Sequence, residues 1–402
     1  MGKNSSQGSS FNGFKLDFFA RIFTTFFSAV FYFLVAKKFG IESFSTFQLV
    51  TVYSALLLWF GDLGLGAQLI NLLALENRDQ FKKTWTIRFL FSMMFVGVPS
   101  LFALKFIPAI NVFLLVSVGI DLFVDSNYNI RILYSNQWRR FLSQPIRKLL
   151  QIIIFVILSN FHVLNKVLIL GLSILVPSII ALSFDLHKIG RLEIGRLEKG
   201  QYRNSLNSWL QGASNYFTIL DNILLNSVGL HWIIALMAIP RKFTQSISIF
   251  STVTAPRNQH SVARQNGINR SNINKILQSS VIIFFCSLPL LICQKSIFNF
   301  LFNISLSSKG LFLVSAVILC APLQALVVGL NSLYFGLGNF HIPAIVSNLV
   351  AIFYLLFLQI FLHLHIDPQI AIGILLLSKT TLEFLVLVFF LLLKYFERKS
   401  HA

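Results

Sequence analysis

Acidic residues are scarce in this chain: 14 aspartates and glutamates stand among 402 residues, against 33 lysines and arginines. Charged residues of both signs make up 12% of the sequence, about half of the roughly 25% usual in a soluble domain. The three cysteines, Cys286, Cys293 and Cys320, lie at no disulfide or metal-ligand spacing and read as small buried hydrophobes. No cleavable leader is visible. The first dozen residues, MGKNSSQGSSFN, are polar, so the first apolar run is expected to remain as a membrane span. Met1 to Ser6 fits the loose myristoylation pattern, but a lipid anchor adds nothing to a chain with many spans.

Apolar sequence is what the chain has in quantity: 55% of residues are hydrophobic and the mean hydropathy is +0.74. The long runs match a hydrocarbon layer of ~30 Å at 1.5 Å rise per residue. They predict an all-α polytopic membrane protein with about twelve transmembrane helices, at roughly 16–36, 44–75, 86–104, 111–134, 149–159 and 164–184, then 206–228, 230–253, 276–293, 310–335, 342–363 and 368–393. The fifth is short by the hydrophobic criterion.

With the N-terminus placed in the cytoplasm, 23 of the 33 cations fall on the cytoplasmic side, 6 outside and 4 within spans. That asymmetry is the positive-inside rule. The basicity therefore reflects topology, and no nucleic-acid partner is expected. The largest polar break, Asp185 to Ser205, repeats Ile-Gly-Arg-Leu-Glu at 189–193 and 194–198. It divides the chain into a polar tail (1–15), a six-helix lobe (16–184), a basic linker (185–205), a second six-helix lobe (206–393) and a tail (394–402). Both tails are expected in the cytoplasm. Six is even, so both halves enter the membrane alike and predict two lobes related by a pseudo-twofold axis along the membrane normal.

The short loops leave no room for a catalytic domain, which argues against an enzyme. Gly61, Gly64 and Gly66 read G-x-x-G-x-G, but inside an apolar span rather than at a strand-to-helix turn, so a phosphate cradle is not expected. His363 and His365 point about 200° apart on a helix and make a poor chelate. No metal or cofactor is called for.

Ionisable residues inside spans are costly and mark function or pairing. Arg241 and Lys242 follow Pro240 near the centre of the eighth span, and two adjacent cations there cannot both reach the interface. Lys379 and Glu383 form an i,i+4 pair, either a structural ion pair or a proton-exchanging site. Ser117, Asp121, Asp125 and Asn129 make one polar stripe down the fourth span, facing a cavity or gluing helices together. Arg21, one turn after Asp17 and within pairing reach of it, is either a functional group or a residue near enough to the start of the first span to reach the interface. In WFGDLGLGAQLINLLA (59–74), Asp62 sits among glycines in a segment of about thirty residues, longer than the membrane core. It is either a hinge or coupling group facing a wet interior, or an ordinary residue at a helix end.

The stretch Phe33 to Ala74, with Phe39-Gly40, Phe44 and Asp62-Leu63-Gly64-Leu65-Gly66, resembles the start of Wzx-type lipid-linked oligosaccharide flippases. These are polysaccharide export proteins of the multidrug/oligosaccharidyl-lipid/polysaccharide exporter superfamily. The second half resembles the same family through Leu220 to Leu225 with Gly229, Arg241-Lys242, Pro256 and the NSLYFGLGN of 331–339. It departs from the family where a tyrosine commonly precedes the span-eight cation; here Trp232 and Met237 occupy that region.

The resemblance implies two six-helix lobes around a cavity that opens alternately to each side of a bacterial inner (plasma) membrane. The implied substrate is an oligosaccharide on a polyprenyl diphosphate, such as an O-antigen repeat unit, with polysaccharide polymerase machinery as a possible partner. Arg241, Lys242, Arg21 and Lys379 would meet the diphosphate, and Asp62, Asp121, Asp125, Asp221 or Glu383 a coupling proton or sodium ion. Gly61, Gly64, Pro240 and Pro322 would serve as hinges. The rivals are a cation-coupled drug exporter of the same superfamily and a polytopic enzyme of glycan assembly.

Overall fold

The computed structural model describes residues 6–400 apart from 67–68, 70–71, 73–76, 106–107, 128–136, 162–163, 196–204, 207–208, 211–212, 214–219, 266, 338, 340 and 365. Eleven helices run through the described residues: α1 (Ser6–Asp62), α2 (Arg78–Ala103), α3 (Ala109–Ser126), α4 (Gln137–Leu158), α5 (Lys166–Ile189), α6 (His231–Ile247), α7 (Ile249–Gln265), α8 (Arg270–Phe302), α9 (Ser308–Gly336), α10 (His341–His363) and α11 (Pro368–Ser400). Residues 220–227 are also helical. Each of the twelve apolar runs contains a helix, and the protein is an all-α polytopic membrane protein.

Helix α1 holds the first run and the second as far as Asp62, short of the expected end near 75. Its apolar part, residues 19–62, is 44 long, roughly 66 Å if straight and about twice the hydrocarbon thickness. Gly40 breaks it with φ 81 and ψ 179, dihedrals that only glycine adopts without strain. Helix starts are marked by side chains that satisfy the orphan N–H groups. Asn77 accepts from Gln80 N, Asn165 from Val167 N and Ser307 from Gly310 N, and Asn269 forms a capping box with Asn272.

Several helices outrun their apolar segments. Helix α2 starts at Arg78 rather than near 86, α4 at Gln137 rather than near 149, and α5 continues to Ile189 rather than stopping near 184. Hydropathy stops at the first charge, whereas backbone hydrogen bonding does not. The short fifth run is thus the apolar end of a 22-residue helix.

The chain divides into two compact units, Met1–Phe39 with Ser43–Gly212 and Gly40–Glu42 with Ala213–Ala402. In the first, Trp85 stacks on Phe89 at 5.3 Å and packs with Leu58, Phe81, Val96 and Phe123. In the second, Tyr334 is fully buried among Val262, Leu330, Val350 and Leu387, and its hydroxyl donates to the Leu387 carbonyl at 2.6 Å. The outward faces are apolar instead: Phe285, Ile292, Phe353 and Phe389 are all exposed, as a lipid-facing surface requires.

Candidate functional site

In the C-terminal unit, eight consecutive buried residues from Ile233 to Pro240 lead up to Arg241. Arg241 is ten residues beyond the start of α6, roughly 15 Å along the helix. A guanidinium following such a buried run needs partners. Both of its terminal nitrogens bind Asp221, whose side chain has no solvent exposure, while 21% of the arginine side chain remains exposed. Arg241 Nη1 also reaches Asn222 Oδ1 at 3.5 Å.

Asp221 has a second donor. The hydroxyl of Tyr354, on α10, points at its Oδ2 from 3.0 Å. The Nζ of Lys379, on α11, lies 5.7 Å from the centre of the Tyr354 ring, within cation–π range. One turn further along α11, Glu383 accepts a hydrogen bond from Ser347 of α10. Thr380 on the same helix contacts Cys320 of α9 at 3.4 Å. Asp221, Arg241, Tyr354, Lys379 and Glu383 therefore belong to one polar cluster fed by four stretches of helix. Lys242 is half-buried beside Arg241. Pro240 is buried within α6, and Pro322 is buried within α9, where its carbonyl accepts from Ser280 of α8 at 2.9 Å.

In the N-terminal unit the carboxylates are closed on cations. Asp121 of α3 accepts from Lys148 at 2.9 Å, Gln151 at 2.6 Å and Ser178 at 2.7 Å, and is ion-paired with Arg147 at 2.9 Å. Asp125, one turn on, binds Arg147 and lies 3.4 Å from Lys148. The polar stripe of α3 thus meets α4 and α5; its last member, Asn129, lies outside the described residues. Arg21 is half-buried in α1, and its carbonyl accepts from Thr25 at 2.8 Å.

Asp62 ends the helical part of α1. The next two residues, Leu63 (φ 47) and Gly64 (φ 72), take left-handed backbone, so the span breaks here. Arg88, buried in α2, binds Asp62 and also donates to Ser126 at 2.6 Å and to Asn127. Gly64 is where the chain is crowded: a Cβ would fall 2.1 Å from the Ser205 carbonyl oxygen. Gly61 lies against the α2 backbone at Ser92 rather than at the break itself. Beside it, Trp59 and Trp209 stack at 4.5 Å, and each indole N–H donates to the other's carbonyl, at 3.4 and 3.1 Å.

Four members of these clusters, Arg88, Arg147, Lys148 and Tyr354, are not singled out by the sequence. The first three stand at the starts of apolar runs, where the charge asymmetry places cytoplasmic cations. Their signal was present all the same, because a lone intramembrane carboxylate calls for a cation within reach.

The chain matches no protein-family model and no curated protein. Its fold does match solved structures. An inward-facing multidrug resistance MATE family transporter of the MOP superfamily superposes with a TM-score of 0.67 at 14% identity, covering 91% of this chain and 94% of that one. The lipid II flippase MurJ, in an inward closed conformation, gives 0.66 at 14%, covering 94% and 87%. A Vibrio cholerae MATE transporter, VcmN, gives 0.63 at 12%, covering 95% and 97%. The fold is therefore that of MATE transporters and MurJ.

Proposed function

We propose that this protein is a flippase that moves a polyprenyl-diphosphate-linked oligosaccharide, a surface-polysaccharide repeat unit, across the plasma membrane by alternating access. The observation that carries the reading is Arg241, an arginine within an apolar run with Lys242 beside it and part of its side chain still exposed. A diphosphate cannot enter hydrocarbon without cations to meet it, and a guanidinium binds phosphate oxygens in pairs. Lys379 is a further candidate for the same headgroup, and the prenyl chain stays in lipid.

In this reading Gly64, with Gly61, Pro240 and Pro322, supplies points of bending, the polar segment 185–205 is a cytoplasmic linker, and both termini are cytoplasmic. A fold shared with a lipid II flippase supports it. A fold shared with multidrug transporters supports the rival, a cationic-drug exporter. That rival needs free carboxylates. Here Asp62, Asp121, Asp125 and Asp221 are each bound to an arginine, and Glu383 accepts from Ser347. The carboxylates serve the anion reading better, as partners that hold cations in place.

The test is reconstitution of the full chain in vesicles carrying a prenyl-diphospho-N-acetylglucosamine, with its leaflet read by an impermeant sugar-modifying reagent. The expected result is protein-dependent exchange between leaflets that Arg241→Gln abolishes. Exchange no faster than in empty vesicles contradicts the proposal.

A further inference from the structure

The cation assigned to the substrate is already occupied. Both terminal nitrogens of Arg241 face the Asp221 carboxylate, which is entirely buried and whose Oδ2 also accepts from Tyr354. A ligand anion therefore does not meet a vacant guanidinium; it has to replace a resident carboxylate. Building on the reading of Arg241 as the diphosphate site, we propose that Asp221 is a built-in competitor that sets the minimum charge a ligand must carry.

The argument is one of exchange. A singly charged phosphodiester brings one negative charge and the same two-oxygen geometry as the carboxylate already in place, so it gains little by displacing it. A diphosphate linked at both ends carries two charges and more oxygens, enough to engage Arg241 and the adjacent Lys242 together. It wins the exchange where the monophosphate does not. This is selection through a repulsive element as much as an attractive one.

The displaced carboxylate is not left bare, which would be prohibitive for a group with no exposure. Tyr354 Oη, 3.0 Å from its Oδ2 when Arg241 is bound, is a donor that does not depend on Arg241. Lys379, over the ring of that tyrosine, is a further cation whose charge interacts with Asp221. Tyr354 is thus a positioning residue that steadies Asp221 in both arrangements, and its loss makes the exchange harder.

The test is binding of two probes to the purified full chain in lipid nanodiscs: geranyl diphospho-N-acetylglucosamine and the monophosphate analogue, geranyl phospho-N-acetylglucosamine. Wild type should prefer the diphosphate by about tenfold or more, the scale of one charge-assisted hydrogen-bonded contact. Asp221→Asn keeps the shape and removes the competing charge. It should tighten both probes and shrink the preference to about threefold or less, since only the Lys242 contact then separates them. Tyr354→Phe should move affinity the opposite way, which general destabilisation by both variants would not produce.

Asp221→Asn with an unchanged preference, or with lost binding in a monodisperse protein, overturns the competitor role while leaving the anion site standing. No binding of the diphosphate probe by wild type, or undiminished binding by Arg241→Gln, overturns the anion site itself and the competitor role with it.

Discussion

Arg88 of α2 binds the carboxylate of Asp62 at the point where the first long helix breaks. The arginine side chain is 4% exposed and the aspartate 28%, so the pair sits at the edge of the packed interior. The same guanidinium ties Ser126 and Asn127 to the break. Asp62 is therefore not a bare carboxylate; it is one end of a clasp joining the break after α1 to α2 and to the end of α3.

Breaking that clasp from one side should be worse than removing it whole. Asp62→Asn leaves Arg88 buried without its counter-charge, and a loss of about 3 kcal/mol is expected. A double change, Asp62→Leu with Arg88→Leu, should recover a good part of this. Thermal unfolding of the purified variants checks both. A double variant less stable than either single one counts against the clasp.

The two carboxylates of α3 should differ. Asp121 is 12% exposed at the side chain and meets Lys148, Arg147, Gln151 and Ser178, whereas Asp125 is 35% exposed. Asp121→Asn should lower the melting temperature clearly more than Asp125→Asn, because solvent screens the second group. Equal effects would mean that burial is not what separates them.

Gly64 and Gly190 share a left-handed backbone, with φ +72 and +78, but not their surroundings. Nothing lies within 4 Å of a Cβ at Gly190 (φ 78, ψ −138), so Gly190→Ala should cost about 1–3 kcal/mol, the conformational term alone. At Gly64 the new carbon meets Ser205 O at 2.1 Å and Trp209 N at 2.8 Å, both backbone. Gly64→Ala should cost more than about 3 kcal/mol. Folding yield and thermal stability of the two variants should separate them plainly.

At the ends of α9 and α11, Lys309 donates to Asp367 at 2.7 Å, and Asp367 also accepts from the backbone N–H of Gln369. The lysine hydrogen bond, helped by those N–H groups, holds the Asp367 carboxyl below its ordinary value of 3.8. A lowered carboxylate stabilises the fold above that ordinary value, and the contribution is lost as pH falls through the folded value beneath it. The pair is exposed, so its worth is ~0.2–1 kcal/mol and fades with salt. Protection factors of the amides at 308–311 and 369–371, which divide out the pH dependence of intrinsic exchange, should therefore fall below about pH 4 in wild type. They should already be lowered at neutral pH in Asp367→Ala.

Much of the fold was legible because the membrane imposes one rule: backbone polar groups must be satisfied inside a helix. Each apolar run contains a helix for that reason. What hydropathy could not show was the continuation of α2 and α4 through their cations. Arg88, Arg147 and Lys148 look like the ends of spans until their partners on neighbouring helices are seen, and no local pattern links Asp121 to residues 26 and 27 positions away. Within the C-terminal unit, Arg241 and Lys379 were readable as isolated intramembrane charges. Tyr354 was not, since a tyrosine in an apolar run has an interfacial or packing explanation. Only the approach of α10 to residues 220–227 turns it into a partner of Asp221.

The measurement that bears most directly on function is the leaflet in which lipid-linked glycan accumulates when the gene is deleted from its host. A flippase predicts single repeat units held on the cytoplasmic face, restored to the outer face by the wild-type chain and not by Arg241→Gln. Unpolymerised units on the outer face, or a distribution unchanged by deletion, would contradict the account.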